Sequence, residues 1–312
     1  MNVLQHLCDT LCMDKSEILR FCSTAPYRYK TYEIPKRNSN KKRTIAQPST
    51  ELKFIQRVLV SYLEGKLLVH ECAFAYKSGI GIKNNAQIHL KTKYLLKMDF
   101  ENYFPSITPE LFFSILKRTG LEFSELNIDL LRKILFWRAA RKGPLRLSIG
   151  APSSPLISNF IMYYFDEKMR LICNEKGIKY TRYADDLIFS TNIKNVLFEI
   201  PNIVSSVLEN ETQGQIKINN SKTVFSSKAH NRHITGVTLT NDNKLSVGRA
   251  RKRLISSMIH KFLYELLDQD DILKLQGFIS YANFIEYDFY QRMCRKYGAD
   301  NLLRIKKFKL EK

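Results

Sequence analysis

Apolar residues recur along the chain with two different spacings, and the spacing changes from one segment to the next. Helical spacing marks the first stretch, to about Cys22, and four later runs at 52–68, 109–118, 128–141 and 156–173. Short apolar runs typical of strands occupy 94–100 and both halves of 178–191, which Ala184-Asp185-Asp186 separates. From Lys244 onward the pattern is helical again. The sequence therefore predicts a mixed fold of helices and strands that ends in helices.

A basic segment with strand patterning precedes the first long helix. YRYKTYEIP and KKRTIAQP are predicted to form two strands around the turn signal at 37–40. Across 27–57, nine Lys or Arg residues face only Glu33 and Glu51. The whole chain carries a formal net charge of +20. Such a chain repels itself unless a polyanion supplies the missing negative charge, which indicates nucleic acid, or alternatively an anionic membrane surface.

Length and composition restrict the class of protein further. A chain of 312 residues with 44% hydrophobic and 26% charged residues describes an ordinary globular protein with a large core. No apolar run approaches the length of a membrane span, and the start lacks the pattern of a signal peptide. The six cysteines are scattered without a CxxC pair, so we expect neither a disulfide framework nor a zinc site, and a reducing cytoplasm fits.

Acidic residues interrupt the predicted strands at two places. Asp99 ends one apolar strand, and Asp185 and Asp186 lie at the turn of a predicted hairpin. Taken singly, the pair would suit a solvated β-turn, and Asp99 would suit a helix cap or an ion pair. A carboxylate in an apolar strand needs a positive partner, and Mg²⁺ prefers carboxylate and phosphate oxygens together. Two such ions about 3.5–4 Å apart can activate a 3′-hydroxyl and stabilise leaving pyrophosphate.

The order and spacing of these and other motifs resemble the reverse-transcriptase family. The motifs are RTIAQP (43–48), LLKMDFENYFPSI around Asp99, SIGAPSSP (148–155), YADD (183–186), INNSKT (218–223) and HITG (233–236). The resemblance covers most of the chain from about Tyr27 onward. Asn85-Ala86-Gln87-Ile88-His89 matches the NAxxH element of bacterial retron reverse transcriptases, and Ile234-Thr235-Gly236 is similar to their VTG triplet. The YADD form and the small size also fit retrons.

The resemblance implies an α+β fold of the right-hand polymerase type. Such a fold has fingers, a palm made of an antiparallel sheet plus helices, and a helical thumb. On this basis 1–92 would form the N-terminal helix and fingers, and 93–243 the palm with a helical fingers insertion at about 109–145. The thumb would comprise 244–312, where basic helices suit a grip on duplex phosphates.

The resemblance also implies roles for individual residues. The expected catalytic residues are Asp99, Asp185, Asp186 and Lys222. Two Mg²⁺ ions, for which Mn²⁺ could substitute, would be held by Asp99, Asp185 and the Phe100 carbonyl, with Asp186 as a nearby acid of weaker claim. The expected nucleotide-binding residues are Arg43, Phe104, Gly150 and Ala151. The expected nucleic-acid-binding residues are Asn85, His89, Pro152, Ser153, Thr235, Gly236, Arg249, Arg251, Lys252 and Arg253.

Three of these roles have a stated chemistry. Phe104, five residues after Asp99, falls where the family places a ring that clashes with a ribose 2′-hydroxyl. Arg43 would hold nucleotide phosphates, which suits a bidentate guanidinium. Lys222 would approach the leaving pyrophosphate as charge stabiliser or proton donor, although a solvated lysine at a strand end is an equal alternative. The sequence departs from the family at Ile149, where many relatives have a Gln that can donate a hydrogen bond.

The implied function is that of a retron-type RNA-directed DNA polymerase. It would copy part of a cognate structured non-coding RNA from dNTPs into single-stranded DNA, starting at an RNA 2′-hydroxyl. Host RNase H would act on the hybrid, and a separate effector protein in an anti-phage system would be a further partner. The alternatives are another small bacterial reverse transcriptase (intron-derived, diversity-generating or CRISPR-associated) or a nucleic-acid-bound scaffold that restrains an effector.

Overall fold

Helices and strands alternate as far as Ser246, and from Arg249 onward the described residues form helices alone. The computed structural model describes residues 2–35, 42–140 and 142–309. The helices are α1 (Val3–Leu11), α2 (Lys15–Thr24), α3 (Thr50–Leu63), α4 (Ile82–Ile88), α5 (Tyr103–Ser106), α6 (Pro109–Arg118), α7 (Glu125–Leu135), α8 (Ser154–Ile161), α9 (Tyr163–Glu175), α10 (Ile200–Thr212), α11 (Arg249–Leu263), α12 (Gln269–Ile285), α13 (Tyr287–Tyr297) and α14 (Ala299–Lys307). The strands are β1 (Tyr29–Pro35), β2 (Lys42–Pro48), β3 (Tyr94–Asp99), β4 (Trp137–Arg138), β5 (Leu145–Arg146), β6 (Lys179–Tyr183), β7 (Asp186–Thr191), β8 (Val224–Ser227), β9 (Arg232–Ile234), β10 (Val237–Leu239) and β11 (Leu245–Ser246).

The central element is a four-stranded antiparallel sheet in the order β6-β7-β3-β8. Its central strands carry buried apolar residues on both faces, so helices can pack on one side and the thumb on the other. One core cluster joins α1–α3 and α6–α10 to this sheet, and it includes Leu96 and Phe189. A second cluster begins at Leu95 and Ile188 on the other face and continues through β9–β11 into α11–α14.

The two basic strands predicted near the start form the antiparallel hairpin β1–β2, with Tyr29 opposite Pro48 and Pro35 opposite Lys42. The predicted turn at 37–40 lies outside the described residues. Most of the hairpin is exposed, but Ala46 is buried against the segment that follows β5. The hairpin therefore stands out from the body of the protein and is anchored at one end.

Several helices begin where the sequence supplies a capping residue. The Thr108 hydroxyl accepts a hydrogen bond from the Leu111 N–H, and Pro109 occupies the first helical position of α6. Ser49 and Ser124 cap α3 and α7 in the same manner. These local signals fix the starts of the helices that pack behind the sheet.

The α+β class and the fingers, palm and thumb architecture are confirmed, with corrections to individual elements. The first helical stretch is divided into α1 and α2, and the helix predicted at 52–68 ends at Leu63. The helix predicted at 128–141 is wrong beyond α7, because β4 turns away and pairs with β5, a contact that helical periodicity cannot reveal. The helix predicted at 156–173 is divided at Met162 into α8 and α9. Within the described ranges, no helix is long and apolar enough to cross a bilayer. The predicted domain boundaries stay predictions.

Candidate active site

Three acidic residues meet where the central strands of the palm sheet end. Asp99, the last residue of β3, lies directly opposite Asp186, the first residue of β7. Asp185 occupies the turn between β6 and β7, and its carbonyl accepts a hydrogen bond from the Phe100 N–H at 3.1 Å. Because neighbouring strands of a sheet lie about 4.8 Å apart, this pairing brings the carboxylates together on a rigid support.

The three acids share an uncompensated negative charge. Burial and then the charge of Asp99 raise the pKa of Asp185, although Lys222 and Arg43 act in the opposite direction. Burial, followed by the charges of Asp185 and Asp99, raises the pKa of Asp186 to about 6. Like charges held together in a desolvated place disfavour ionisation, so a nearby cation would stabilise the ionised carboxylates.

Lys222 supplies one positive charge to this cluster. Its ammonium nitrogen Nζ lies 2.8 and 2.9 Å from the two carboxylate oxygens of Asp99. The short helical turn at 220–222 places it there, because the Asn219 N–H donates to the Asp99 carbonyl. The lysine is half exposed while it makes this ion pair, and its role toward the pyrophosphate stays a prediction.

The YADD turn is supported from below by a charged pair that the sequence analysis missed. The fully buried Arg182 donates from Nε and Nη2 to Asp166 of α9, at 2.9 Å to Oδ1 and 2.6 Å to Oδ2. Its Nη1 donates to the Ala184 carbonyl at 3.1 Å. Ala184 has a φ of +55°, a left-handed conformation that costs energy for any residue but glycine. The sequence signal that could have revealed this pair is an arginine inside an apolar strand, because a buried arginine needs an acidic partner.

The second motif, SIGAPSSP, packs against the fingers hairpin. The Ala46 N–H donates to the Ile149 carbonyl at 3.0 Å, and the Ser148 hydroxyl donates to the Ala46 carbonyl at 2.6 Å. Gly150 has a φ of +125°, and a Cβ there would lie 3.1 Å from the Ala46 oxygen. Glycine is therefore required for the close approach. The contact fixes strand β2, which carries the exposed Arg43 within electrostatic reach of Asp185.

The aromatic residues after Asp99 form a stacked group. The ring of the buried Phe100 lies 5.1 Å from that of Tyr103, whose hydroxyl donates to the Ser158 carbonyl at 2.9 Å. Phe104 is half buried, with its ring 5.4 Å from that of Tyr103 in an edge-on arrangement. Tyr103 thus holds Phe104 on a short helix directly after the catalytic strand.

The prediction that Asn85 and His89 bind nucleic acid is wrong for their side chains, because both are fully buried. His89 faces the Ser190 hydroxyl through Nδ1 and the Thr181 hydroxyl through Nε2, each at 2.7 Å. Thr181 in turn donates to the Asn85 oxygen at 2.6 Å. Burial lowers the pKa of His89 to about 3. The NAxxH element therefore joins α4 to strands β6 and β7 of the palm.

The remaining predicted residues of the second and primer-side motifs differ in exposure. Ala151 and Ser153 are buried, so a contact of the Ser153 side chain with nucleic acid is a wrong prediction, whereas Pro152 is half exposed. Thr235 is half buried with a φ of +45°, and Gly236 is exposed. Pro152 and Gly236 remain accessible to a strand entering the site.

The predicted cations of the thumb divide into two groups. Arg249 and Arg253 are exposed on α11. Arg251 donates to the Gly236 carbonyl at 3.2 Å and lies 4.7 Å from the Tyr281 ring centre. Lys252 forms an ion pair with Glu286. The first two arginines are thus open to phosphates, and the other two cations join α11 to neighbouring elements.

The acids fit a divalent metal by the chemistry of their donors. Asp99, Asp185 and Asp186 present carboxylate oxygens, the ligands that Mg²⁺ and Mn²⁺ prefer, and burial with the neighbouring acidic charges raises the pKa values of Asp185 and Asp186. No group of three or more His, Cys, Asp or Glu side chains in the described residues has converged on a single point suited to a metal. Lys222 holds Asp99 instead, so the ammonium ion takes the place of part of that charge.

Comparison with known proteins identifies the family to which this geometry belongs. Residues 34–239 match the family described as reverse transcriptase (RNA-dependent DNA polymerase). The chain is similar to the retron Ec83 reverse transcriptase of Escherichia coli, at 49% identity over 90% of both chains. It is also similar to the Escherichia coli retron Ec73 enzyme, at 33% identity over 90% of both chains, and to the retron Ec86 enzyme, at 28% over 91% of this chain and 87% of that one. The protein belongs to the bacterial retron reverse transcriptases and is an RNA-directed DNA polymerase.

Proposed function

We propose that the enzyme copies part of a cognate structured non-coding RNA into single-stranded DNA (msDNA), starting from a 2′-hydroxyl of that RNA. The observation that carries the chemical part of this proposal is the placement of Asp99, Asp185 and Asp186 where adjacent strands end, with Lys222 bound to Asp99. The retron part rests on the 49% identical relative, whose similarity extends over 90% of both chains.

Asp99, Asp185 and the Phe100 carbonyl would hold two divalent ions, and Asp186 would lie beside them. When bound, the metals lower the pKa of the attacking hydroxyl and neutralise charge on the leaving pyrophosphate. The strands fix the spacing of the carboxylates, and the Asp166–Arg182 pair fixes the turn that carries Asp185. Positioning of this kind supplies much of the rate enhancement in phosphoryl transfer.

Lys222 has two roles in this proposal. Before substrate binds, its ammonium group compensates the Asp99 carboxylate, as the distances of 2.8 and 2.9 Å indicate. Lys222 is half exposed and would also reach toward the phosphates of the incoming nucleotide. There it stabilises the leaving pyrophosphate or gives it a proton.

Nucleotide selection is assigned to the two sides of the same site. Phe104, supported by Tyr103, would exclude a ribose 2′-hydroxyl and so favour dNTPs. Arg43 would bind the nucleotide phosphates, and its influence on the pKa of Asp185 supports a location near the acids. Gly150, which is exposed and has no side chain, would offer its backbone to the nucleotide, and the buried Ala151 follows it in the chain.

Template and primer would lie across the palm between the fingers hairpin and α11. Arg249 and Arg253 are exposed and would contact phosphates, which makes binding sensitive to salt. The product would be an RNA–DNA hybrid, and a separate RNase H would remove its template strand. We place the enzyme and its product in an anti-phage system with a separate effector protein, as an expectation drawn from the family.

The test is a DNA synthesis assay with the full chain, its cognate RNA, dNTPs and Mg²⁺. We expect extension by the wild type and none above background by Asp185→Asn combined with Asp186→Asn, which keeps side-chain size but removes the metal-binding charge. Asp270→Asn, at an exposed position on α12, is the matched control and should retain full extension. Equal extension by the double variant and the wild type would contradict the proposal.

The RNA and effector partners need a second experiment. Nucleic acid that remains bound to the purified chain should be one short RNA joined to DNA, and sequencing it gives the priming nucleotide. A pull-down with and without nuclease treatment shows whether a protein partner binds the chain or its nucleic acid. Mixed cellular RNA without attached DNA would contradict the retron assignment of the product.

A further inference from the structure

A cleft of about 630 Å³ lies in the fingers, between the start of the hairpin and strand β4. Its walls include Tyr27, Tyr29, Trp137 and Arg138. The rings of Tyr29 and Trp137 lie 5.7 Å apart at an angle of 40°, and the hydroxyl of Tyr29 is fixed by the Gln56 amide at 3.0 Å. Ordered aromatic walls around a volume of this size suit a flat, partly apolar ligand.

The surroundings of this fingers cleft are basic. Arg138 is half exposed in its wall, and Lys30 and Arg146 are exposed on the strands that border it. Between positions 136 and 150 the sequence contains four Lys or Arg residues and no Asp or Glu. Glu33, further along β1, is engaged by Lys42 at 3.0 Å. The positive charge near the cleft therefore has few acidic neighbours, and it favours a ligand that carries negative charge.

The cleft is connected to the polymerase site through the backbone. Trp137 of β4 lies opposite Arg146 of β5, and β5 leads within two residues to Ser148 of the second motif. Ser148 is bonded to Ala46 of β2, which pairs with Thr31 at the edge of the cleft. The fingers cleft and the second motif are thus joined by two strand pairings and one hydrogen bond.

We propose that the fingers cleft binds unpaired nucleotides of the nucleic acid on which the enzyme acts. A base stacks on Tyr27 and Trp137, and Arg138 binds the adjoining phosphate. Aromatic stacking accepts any base, since every base has a π-face, and a cation on the backbone adds affinity without sequence preference. This inference rests on the proposed function, because it assigns a place to a single-stranded part of the RNA that the enzyme copies.

The chain contains a single tryptophan, Trp137, so its fluorescence reports on this cleft alone. We would titrate the full-length protein with a single-stranded RNA of about ten nucleotides. A strand of the same length with abasic positions has the same phosphates and serves as control, and a blunt duplex is the second control. We expect quenching by the base-bearing strand and little by the other two.

Two variants assign the effect to the cleft. Tyr27→Ala and Arg138→Gln should each weaken the quenching interaction about tenfold, a factor typical of losing one stacked base or one phosphate contact. Tyr264→Ala is the matched control, because this tyrosine is 64% exposed on the thumb. Wild-type affinity in both cleft variants would overturn the proposal. So would unchanged fluorescence at concentrations where a labelled copy of the strand binds.

A primer extension assay on the same preparation separates this inference from the proposed function. Quenching that is lost in the variants, without any DNA synthesis, would support nucleotide binding in the cleft and contradict the proposed copying reaction. DNA synthesis without any change in fluorescence would contradict nucleotide binding in the cleft and leave the proposed copying reaction supported. A cleft that serves a protein partner would give the second result.

Discussion

Removing the charge of Arg182 should lower the free energy of unfolding more than any surface substitution does, and the size of the loss can be worked from the structure. Arg182 and Asp166 are both fully buried and share two short hydrogen bonds. Although burial alone would lower the pKa of Arg182, the Asp166 charge raises it above its ordinary value. The substitution Arg182→Met keeps the length of the side chain but leaves the carboxylate of Asp166 buried without a cation.

An uncompensated buried charge costs about 3–5 kcal/mol in comparable proteins. Two further bonds of Arg182 are lost at the same time, to the Asn159 oxygen and the Ala184 carbonyl. The Tyr180 hydroxyl, which donates to Asp166 at 2.7 Å, can offset part of the loss. We therefore expect the single variant to lose about 3–5 kcal/mol of unfolding free energy, a change of about two to nearly four orders of magnitude in the equilibrium.

The assay is urea unfolding followed by circular dichroism, with the midpoints compared at equal slope. The double variant Asp166→Leu with Arg182→Met should lose less than the sum of the two single variants, because it leaves no charge behind. Lys274→Met, which breaks the exposed pair with Asp271, is the matched control and should cost far less. A loss below about 1 kcal/mol in Arg182→Met would refute the reasoning.

Four further measurements test other parts of the structure. The folded state holds His89 neutral with a pKa of about 3, below the value of about 6.5 in an unfolded chain, so its contribution is complete above pH 6.5 and is lost as the pH falls toward 3. Wild-type stability should therefore fall by up to about 1.4 kcal/mol per pH unit more than that of His89→Leu, and parallel curves would contradict this. Phe104→Ala should raise incorporation of ribonucleotides relative to dNTPs, and an unchanged ratio would count against the sugar gate. Lys222→Ala should slow single-turnover incorporation by about tenfold or more while Lys222→Arg keeps part of the rate, and full activity of the alanine variant would exclude the proposed role. Gly150→Ala should lower the melting temperature, because its Cβ would press on the Ala46 carbonyl; an unchanged melting temperature would show that the loop can shift.

Local elements of this fold could be predicted from the sequence because their signals are local. The helix at 109–118 has its capping threonine and proline, and the strands at 94–100 and 178–191 have short apolar runs. The helix predicted through 141 failed because β4 is stabilised by β5, a partner that lies beyond a turn. Helical periodicity carries no information about such a partner.

In the site, too, some features could be predicted from the sequence and others could not. The proximity of Asp99 to Asp185 and Asp186 followed from motifs, and the structure places them together, although their roles stay predictions. The burial of His89 could not be predicted, because the NAxxH pattern gives spacing but not the direction in which the helix faces. Its partners Thr181 and Ser190 are ordinary strand residues whose importance appears only when β6 and β7 pair.

Two sets of charged side chains surround the YADD turn, the Asp166–Arg182 pair and the cluster of three acids. Their different roles follow from how far the negative charge in each is balanced by cations. Below the turn, Arg182 balances Asp166 completely, and every strong hydrogen bond of the pair is made within the protein. Above it, burial and then the charges of the neighbouring acids raise the pKa values of Asp185 and Asp186, and the nearby cations offset this only in part. A balanced pair gains nothing from an external cation and fixes the backbone, whereas an unbalanced cluster has free energy left to gain from metal and substrate. The buried pair thus makes the turn rigid enough for the acids above it to remain close together without a full set of counter-charges.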